Sequence, residues 1–252
     1  MIELFLLSLI QGITEFLPIS SSSHLIIFSK ITNFDNQSLS IDVSLHIGSF
    51  LAVITFFREE IINFTKNKDL LLKILFSSIP VMVIGFFLVQ TNLIEKLRSI
   101  EIIGWMTILF GILLFISDKF KLKKKLSSNF TYQTAIIIGF FQILSLIPGV
   151  SRSGITITAA RILNFKRLDA AKISFLMSIP TLGAVTLFGL KNIINSQDLS
   201  FSNINLASIF LSFLFSLITI KYFLQYIKTF SLNLFVTYRL LLGTILLFIA
   251  YL

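Results

Sequence analysis

Gln11-Gly12-Ile13-Thr14-Glu15-Phe16-Leu17-Pro18-Ile19-Ser20-Ser21-Ser22-Ser23-His24 interrupts an apolar stretch running from Met1 to Lys30. Gln11 and Glu15 stand four residues apart, so on a helix they share one face. Pro18 cannot continue that helix and biases the residue before it toward extended backbone. The serines and His24 then open a second apolar piece. Each piece is too short for the roughly 20 residues that a helix needs to cross a bilayer. Two half-length pieces around a polar, Pro-containing break predict a re-entrant helix pair. Irregular backbone survives at membrane depth only where protein buries it or it lines a wet cavity. A carboxylate there costs roughly 2.5–3.5 kcal/mol on insertion scales, which marks Glu15 as a functional residue.

The same pattern recurs from Thr134 to Leu163, broken by Gln142, Pro148, Gly149, Ser151, Arg152 and Ser153. Six further stretches read as full crossings: Ile41 to Phe57, Leu70 to Val89, Ile100 to Ser117, Ala171 to Leu190, Leu206 to Ile227, and Asn233 to Leu252. The composition agrees. Of 252 residues, 55% are hydrophobic and 13% charged, with mean hydropathy +0.92, against about 25% charged in soluble domains. With 28 Phe and 4 Pro the chain is not low-complexity. It has no cysteine, hence no disulfide, thiolate nucleophile or thiolate metal site. The apolar N-terminus lacks a basic lead and a small-residue cleavage site, so it does not read as a cleaved signal peptide.

These elements predict an all-α polytopic membrane protein, a single domain over 1–252, with six transmembrane helices plus two re-entrant helix pairs in an inverted-topology repeat. Repeat one covers about 1–117 (re-entrant pair 1–30), repeat two about 131–227 (re-entrant pair 134–163), and a final transmembrane helix about 233–252. The repeat leaves a trace in the sequence. Gln11 precedes Pro18, Gln142 precedes Pro148, and each break is followed downstream by Ser-Ile-Pro, at Ser78-Ile79-Pro80 and Ser178-Ile179-Pro180. Broken helices in inverted repeats build sites near the midplane.

The net charge of +9 carries no aromatic-interleaved basic stripe, so it points to topology and not to nucleic acid. With each broken segment entering and leaving on one face, 14 Lys/Arg fall on one side and 4 on the other. The side holding Arg58, Lys66, Lys119 to Lys125, Arg161, Arg167 and Lys221 is then cytoplasmic, and both termini lie outside. Lys119 to Lys125 would rest on anionic headgroups, and Arg239 would snorkel to the cytoplasmic face.

In each re-entrant pair the second half-helix starts at depth, aiming its positive dipole end and free N–H groups at the centre. Arg152 among Ser151, Ser153 and glycines suits a phosphate group, since the guanidinium forks onto two oxygens. In an empty site it can pair with Glu15. A small anion on an apolar ligand, such as a phosphorylated lipid, fits. A serine hydroxyl needs a base to become nucleophilic, and Glu15 and His24 are the candidates beside the serine row. Arg152 would stabilise transferring phosphoryl oxygens. One carboxylate cannot build a metal cage, but Mg²⁺ or Ca²⁺ held by Glu15, diphosphate oxygens and waters is allowed.

The motifs QGITEFLPISSSSH and PGVSRSG, with Asp42-Val-Ser-Leu-His46-Ile-Gly-Ser-Phe-Leu-Ala-Val, resemble the undecaprenyl-diphosphate phosphatase family, bacterial membrane enzymes linked to bacitracin resistance. The resemblance spans essentially the whole chain. It implies a hydrolase that removes the terminal phosphate of undecaprenyl diphosphate at the outer face of the bacterial cytoplasmic membrane. That reaction supplies the carrier lipid for cell wall synthesis. Mg²⁺ or Ca²⁺ stimulation is implied with it. By position, Gln11 and Glu15 fill the family's acidic pair, Ser20, Ser21, Ser22 and His24 the serine-rich stretch, and Ser151, Arg152, Ser153 and Thr156 the second motif. The catalytic set is then Glu15, Ser21, His24 and Arg152. Gln11, Ser20, Ser22, Ser151, Ser153 and Thr156 bind phosphate, and Glu15 shares a metal with substrate oxygens. Ser21 attacks the terminal phosphorus with Glu15 or His24 as base; direct water attack and a His24 nucleophile stay open. Two positions depart from the family. Gln11 is its neutral option, and Ser23 stands where Gly is common, so a positive φ there would strain the backbone. His46 is either a packed histidine or a support to the site.

The partners expected are a polyprenyl diphosphate lipid, membrane lipids and no nucleic acid, and the chain could form a homodimer. The alternative function is a polyprenyl-phosphate transporter or flippase on the same inverted repeat. The acid-phosphatase-like lipid phosphatases need an Asp four residues after a nucleophilic His, but Phe28 and Phe50 follow His24 and His46 at that spacing.

Overall fold

The computed structural model describes residues 2–32, 39–65, 67–91, 97–195 and 203–252. Lys66 and Lys96 of the charge count lie outside the described residues, as does the side chain of Lys30. The described residues form ten principal helices: α1 Ile2–Thr14, α2 Ser21–Thr32, α3 Leu39–Phe56, α4 Lys68–Gln90, α5 Ile100–Asp118, α6 Tyr132–Ile143, α7 Arg152–Ile162, α8 Arg167–Asn195, α9 Asn203–Thr229 and α10 Asn233–Tyr251. Short helical turns lie at Arg58–Ile62 and Leu126–Asn129. Among the described residues there is no strand, only an isolated bridge between Lys124 and Phe165.

Five helices, α4, α5, α8, α9 and α10, are long and apolar enough to cross a bilayer, so the chain is a multi-pass membrane protein. The remaining expected crossing is α3, of 18 residues. Both broken segments are helix–break–helix units. Their helices have 13, 12, 12 and 11 residues, about 16–20 Å each at 1.5 Å per residue, short of the ~30 Å apolar core of a bilayer. Capping sets several starts: Thr131 and Thr134 form a reciprocal capping box on α6, while Asn67 and Ser99 accept from Leu70 and Ile102 N–H on α4 and α5.

The helices pair crosswise between the two halves of the chain. α1 lies on α9 and α6 lies on α4, while α3 packs on α8 and α5 on α10. Close approach needs glycine at two places. A Cβ on Gly12 would sit 2.5 Å from Phe215 Cβ, and one on Gly139 would sit 2.2 Å from the Ser77 carbonyl oxygen. Polar glue supplements this packing. Ser49 on α3 bonds Ser212 at 3.2 Å and Ser216 at 3.0 Å on α9. The two Ser-Ile-Pro segments face one another, since Ser78 Oγ donates to the Met177 carbonyl at 3.4 Å as well as to its own Ile74 carbonyl. The core is aromatic, centred on Phe175, whose ring meets Phe16, Phe57 and Phe223 at 5.3, 6.4 and 5.8 Å. Phe16, from the first break, is thereby pinned to α8.

The placement of Arg239 overturns the snorkelling expectation. The side chain is fully buried. Its Nε donates to the Thr107 carbonyl (3.2 Å), Nη1 to Pro18 (3.1 Å) and Val150 (3.0 Å), and Nη2 to Gly149 (2.8 Å). The carbonyls freed where the two helices break find their donors here, because lipid offers none and a buried unpaired carbonyl is costly. At the basic end, Arg161 is also fully buried. It donates to the carbonyls of Asp118, Phe120 and Phe165, while Asp118 pairs with Arg167 at 2.7 and 3.0 Å and accepts the Leu232 N–H. The 119–125 loop is tied down through Lys123 and Lys124 N–H on the Asn164 carbonyl.

Arg239→Met should lower the unfolding free energy in detergent by about 3 kcal/mol or more, because several buried carbonyls lose a charged donor together. Thermal unfolding monitored by circular dichroism reads this. Gly139→Ala should cost about 1–3 kcal/mol by overpacking α6 on α4, in the same measurement.

Candidate active site

The first break delivers Glu15 just past the end of α1, one turn beyond Gln11, with its N–H on the Gln11 carbonyl (3.0 Å). The second delivers Arg152 as the first residue of α7. The two meet: Arg152 Nη2 donates to Glu15 Oε1 at 2.7 Å, and its Nη1 to the Ser174 carbonyl at 3.3 Å. Only 8% of the Glu15 side chain and 13% of the Arg152 side chain are exposed, so the pair lies in a shielded setting where its geometry is constrained on all sides. The guanidinium also stands over the Phe16 ring, 5.9 Å from its centroid. The other carboxylate oxygen, Oε2, accepts the Ser21 hydroxyl at 2.6 Å and Gln11 Nε2 at 3.2 Å.

The two breaks share a backbone device. Ser20 (φ 78°) immediately precedes α2, and Ser151 (φ 71°) immediately precedes α7. A left-handed residue at each site turns the chain sharply enough to start the second helix facing back into the protein. Ser151 Oγ caps α7 by accepting the Gly154 N–H at 3.1 Å. Ser20 Oγ bonds Ser23 at 2.9 Å and Ser22 at 3.3 Å. Ser23 lies inside α2, buried and without a positive φ among the described residues. The strain considered for Ser23 is therefore located at Ser20. Ser153 Oγ donates to the Leu17 carbonyl at 2.7 Å, lacing the two breaks together.

The remaining residues singled out in the sequence are placed as follows. Thr156 is fully buried one turn along α7, its hydroxyl on the Arg152 carbonyl (2.8 Å) and Ser174 Oγ (2.7 Å). It holds α7 on α8 behind Arg152. His24 contacts neither Glu15 nor Ser21: its Nδ1 is 2.6 Å from the Ser20 carbonyl and its Nε2 2.6 Å from the Tyr238 hydroxyl. His46 Nδ1 bonds the Asp42 carbonyl at 2.8 Å. Gln142 is fully buried. Ser174, Tyr238 and Arg239 are the contributions that sequence reasoning missed. Ser174 acts through both its carbonyl and its hydroxyl, and a lone serine on an apolar helix offers little signature. Tyr238-Arg239, adjacent polar residues inside an apolar segment, did offer a signal.

A cavity of about 960 Å³ reaches both breaks through Ser22 and Pro148, while Glu15, Ser21 and Arg152 lie outside its lining. Ser29, Asp42 and His46 are among its polar lining residues, and Val81, Val89, Val185 and Phe188 among its apolar ones. It draws on the C-terminal halves of α4 and α8, away from their basic N-terminal ends, with Arg98 also in its lining. A mostly apolar lining with a few polar groups suits an amphiphile with an anionic head. As for metal, Gln11 Oε1 is buried without a partner in the residue next to Glu15 in the bonding chain. Together with the carboxylate and serine hydroxyls it offers hard oxygen donors that fit Mg²⁺ or Ca²⁺ in preference to a soft ion. Among the described residues no group of three or more His, Cys, Asp or Glu could hold an ion unaided.

Comparison with known proteins places the chain in a family. The family model described as bacitracin resistance protein BacA matches residues 4–245. An undecaprenyl-diphosphatase of Pelagibacter ubique (strain HTCC1062) is 50% identical over 251 residues, covering 99% of this chain and 98% of the relative. Proteins of the same name from Jannaschia sp. (strain CCS1) and Saccharophagus degradans (strain 2-40) are 39% and 42% identical, covering 98% and 94% of this chain and 98% and 93% of their own lengths. With both breaks, the buried Glu15–Arg152 pair and nearly every residue inside the match, the chain belongs to the bacitracin resistance protein BacA family.

Proposed function

We propose that the chain is a membrane phosphatase that hydrolyses undecaprenyl diphosphate to undecaprenyl phosphate and inorganic phosphate, the activity named for its relatives. The observation that carries the chemistry is the 2.6 Å bond from Ser21 to Glu15, inside a carboxylate already held by Arg152. The head of the lipid enters from the cavity and takes the guanidinium of Arg152 through its terminal phosphate, aided by the N-terminal ends of α2 and α7. Glu15, released from full neutralisation by Arg152, accepts the Ser21 proton while Ser21 Oγ attacks the terminal phosphorus. The P–O bond to the bridging oxygen breaks and undecaprenyl phosphate leaves. Water then attacks the phosphoserine. Glu15 returns its proton to Ser21, and both protons of the water stay on the phosphate, released as H₂PO₄⁻. Arg152 stabilises the equatorial oxygens in both halves. His24, bound to Ser20 and Tyr238, supports the turn and not the proton transfer.

A divalent ion, when bound, would neutralise charge on the diphosphate oxygens; Glu15 and Gln11 Oε1 are the side chains that would hold it. The membrane arrangement we favour counts α3 as the sixth crossing and both helix–break–helix units as re-entrant. The crosswise pairing of α1 on α9 with α6 on α4, and the facing Ser-Ile-Pro segments, support an inverted repeat, with α10 as the final helix after repeat two. The cavity lies toward the ends of α4 and α8 opposite their basic starts. Under the positive-inside rule this supports an outward-opening site in the bacterial cytoplasmic membrane, with both termini outside.

Phosphate release from undecaprenyl diphosphate in detergent tests the reading. Glu15→Gln should lower kcat by about 10²–10⁴ and Arg152→Ala by about 10²–10³. Ser21→Ala should abolish burst phosphorylation; near-normal turnover by that variant would exclude Ser21 as nucleophile and leave direct water attack. Chelation of divalent ions should lower the wild-type rate, and added Mg²⁺ or Ca²⁺ should restore it.

A further inference from the structure

Tyr238 lies on α10 beside the buried Arg239, and its ring is stacked on that of His24, 5.7 Å between centroids and 12° between planes. The hydroxyl is 2.6 Å from His24 Nε2. On the other side of the imidazole, Nδ1 is 2.6 Å from the Ser20 carbonyl, which can only accept. Nδ1 must therefore carry the hydrogen, and in the neutral ring Nε2 holds the lone pair to which Tyr238 donates. Two short bonds and a stacked ring leave His24 one tautomer and one orientation.

That orientation matters because of what the Ser20 carbonyl belongs to. Ser20 has φ 78°, and the same left-handed turn sets Ser21 at the head of α2, where its hydroxyl reaches Glu15. Arg239, one residue on, donates to the Pro18 carbonyl on the far side of that turn. The turn is thus gripped at Pro18 by Arg239 and at Ser20 by His24, and the second grip is braced by Tyr238.

We propose that Tyr238 is a positioning residue for the phosphoryl transfer: the Ser20 carbonyl sets the tautomer of His24, the Tyr238 hydroxyl donates to Nε2 and fixes the plane of the ring, and His24, through the Ser20 carbonyl, holds the turn that delivers Ser21 to Glu15. The proposal rests on Ser21 acting as described above. Tyr238 acts through the His24 ring, its hydroxyl being spent on Nε2, so its loss should act on the chemical step and leave substrate affinity alone.

The test uses Tyr238→Phe, which keeps the stacked ring and removes only the hydroxyl. The chain has two histidines, so ¹⁵N-histidine labelling of the full chain in detergent gives two imidazole signals, and His46→Asn assigns His24. The wild type should show His24 as the neutral Nδ1–H tautomer. Tyr238→Phe should keep that tautomer and move the Nε2 resonance as its hydrogen bond is lost, with a kcat about tenfold lower, the loss of one positioning hydrogen bond, and a KM within twofold. An unchanged Nε2 resonance overturns the proposal whatever the rate does, and so does an unchanged kcat with a shifted resonance. The Nε2 readout does not depend on Ser21, so a Ser21→Ala variant with near-normal turnover would overturn the phosphoserine reading separately.

Discussion

A helix that stops inside the core of a membrane protein leaves carbonyls with no donor, and two such helices stop at the heart of this protein. Arg239 answers that constraint. One guanidinium, carried on α10, donates to Pro18 from the first break, to Gly149 and Val150 from the second, and to Thr107 on α5. A side chain with several donors in a rigid plane is suited to this in a way that lysine is not. Its position also forces intimacy on its neighbours: a Cβ on Gly154 would stand 3.1 Å from Nη1, and one on Gly111 3.1 Å from the Arg239 Cβ. The irregular backbone on which the chemistry depends is thus stabilised by a residue that takes no part in it.

With the breaks clamped, two similar turns face one another. Each enters its second half-helix through a left-handed serine, Ser20 or Ser151, and each brings a different charge. Glu15 and Arg152 neutralise each other at 2.7 Å while the site is empty. Such a buried pair contributes little net stability, but it keeps either charge from standing alone in a low-dielectric setting. In the mechanism proposed above, an incoming phosphate competes for the arginine and frees the carboxylate to draw the proton of Ser21, so the ion pair would couple arrival of the substrate to the strength of the base.

Much of this was legible in the chain. The half-length apolar pieces around Pro18 and Pro148, the long helices between them, and the polar clusters at both breaks follow from hydropathy and from the conformational limits of proline. Ser-Ile-Pro at two places pointed to related segments, which lie face to face. Other features were misread for an identifiable reason. Arg239 six residues into a helix has the spacing of a snorkelling cation, and helical periodicity cannot tell a side chain that reaches the interface from one that turns inward. Ser23 drew attention because glycine often occupies its place, yet the left-handed residue is Ser20, three positions earlier. Where the turn sends the side chains of Glu15 and His24, to Ser21 and Arg152 in one case and to Tyr238 in the other, is a tertiary matter that the motif leaves open.

The sequence by itself determined that this chain lives in a membrane, where its helices break, and which charged and hydroxyl groups stand at those breaks. Those are local properties, set by transfer free energies and by the backbone preferences of proline. Tertiary structure alone decided that Ser21 meets Glu15 while His24 meets Tyr238, that Thr156 turns inward to Ser174, and that a residue near the end of the chain secures two turns some 90 and 220 positions before it. Those outcomes depend on which helix packs beside which, and at membrane depth that is settled by the requirement that every buried polar group find a partner somewhere in the fold.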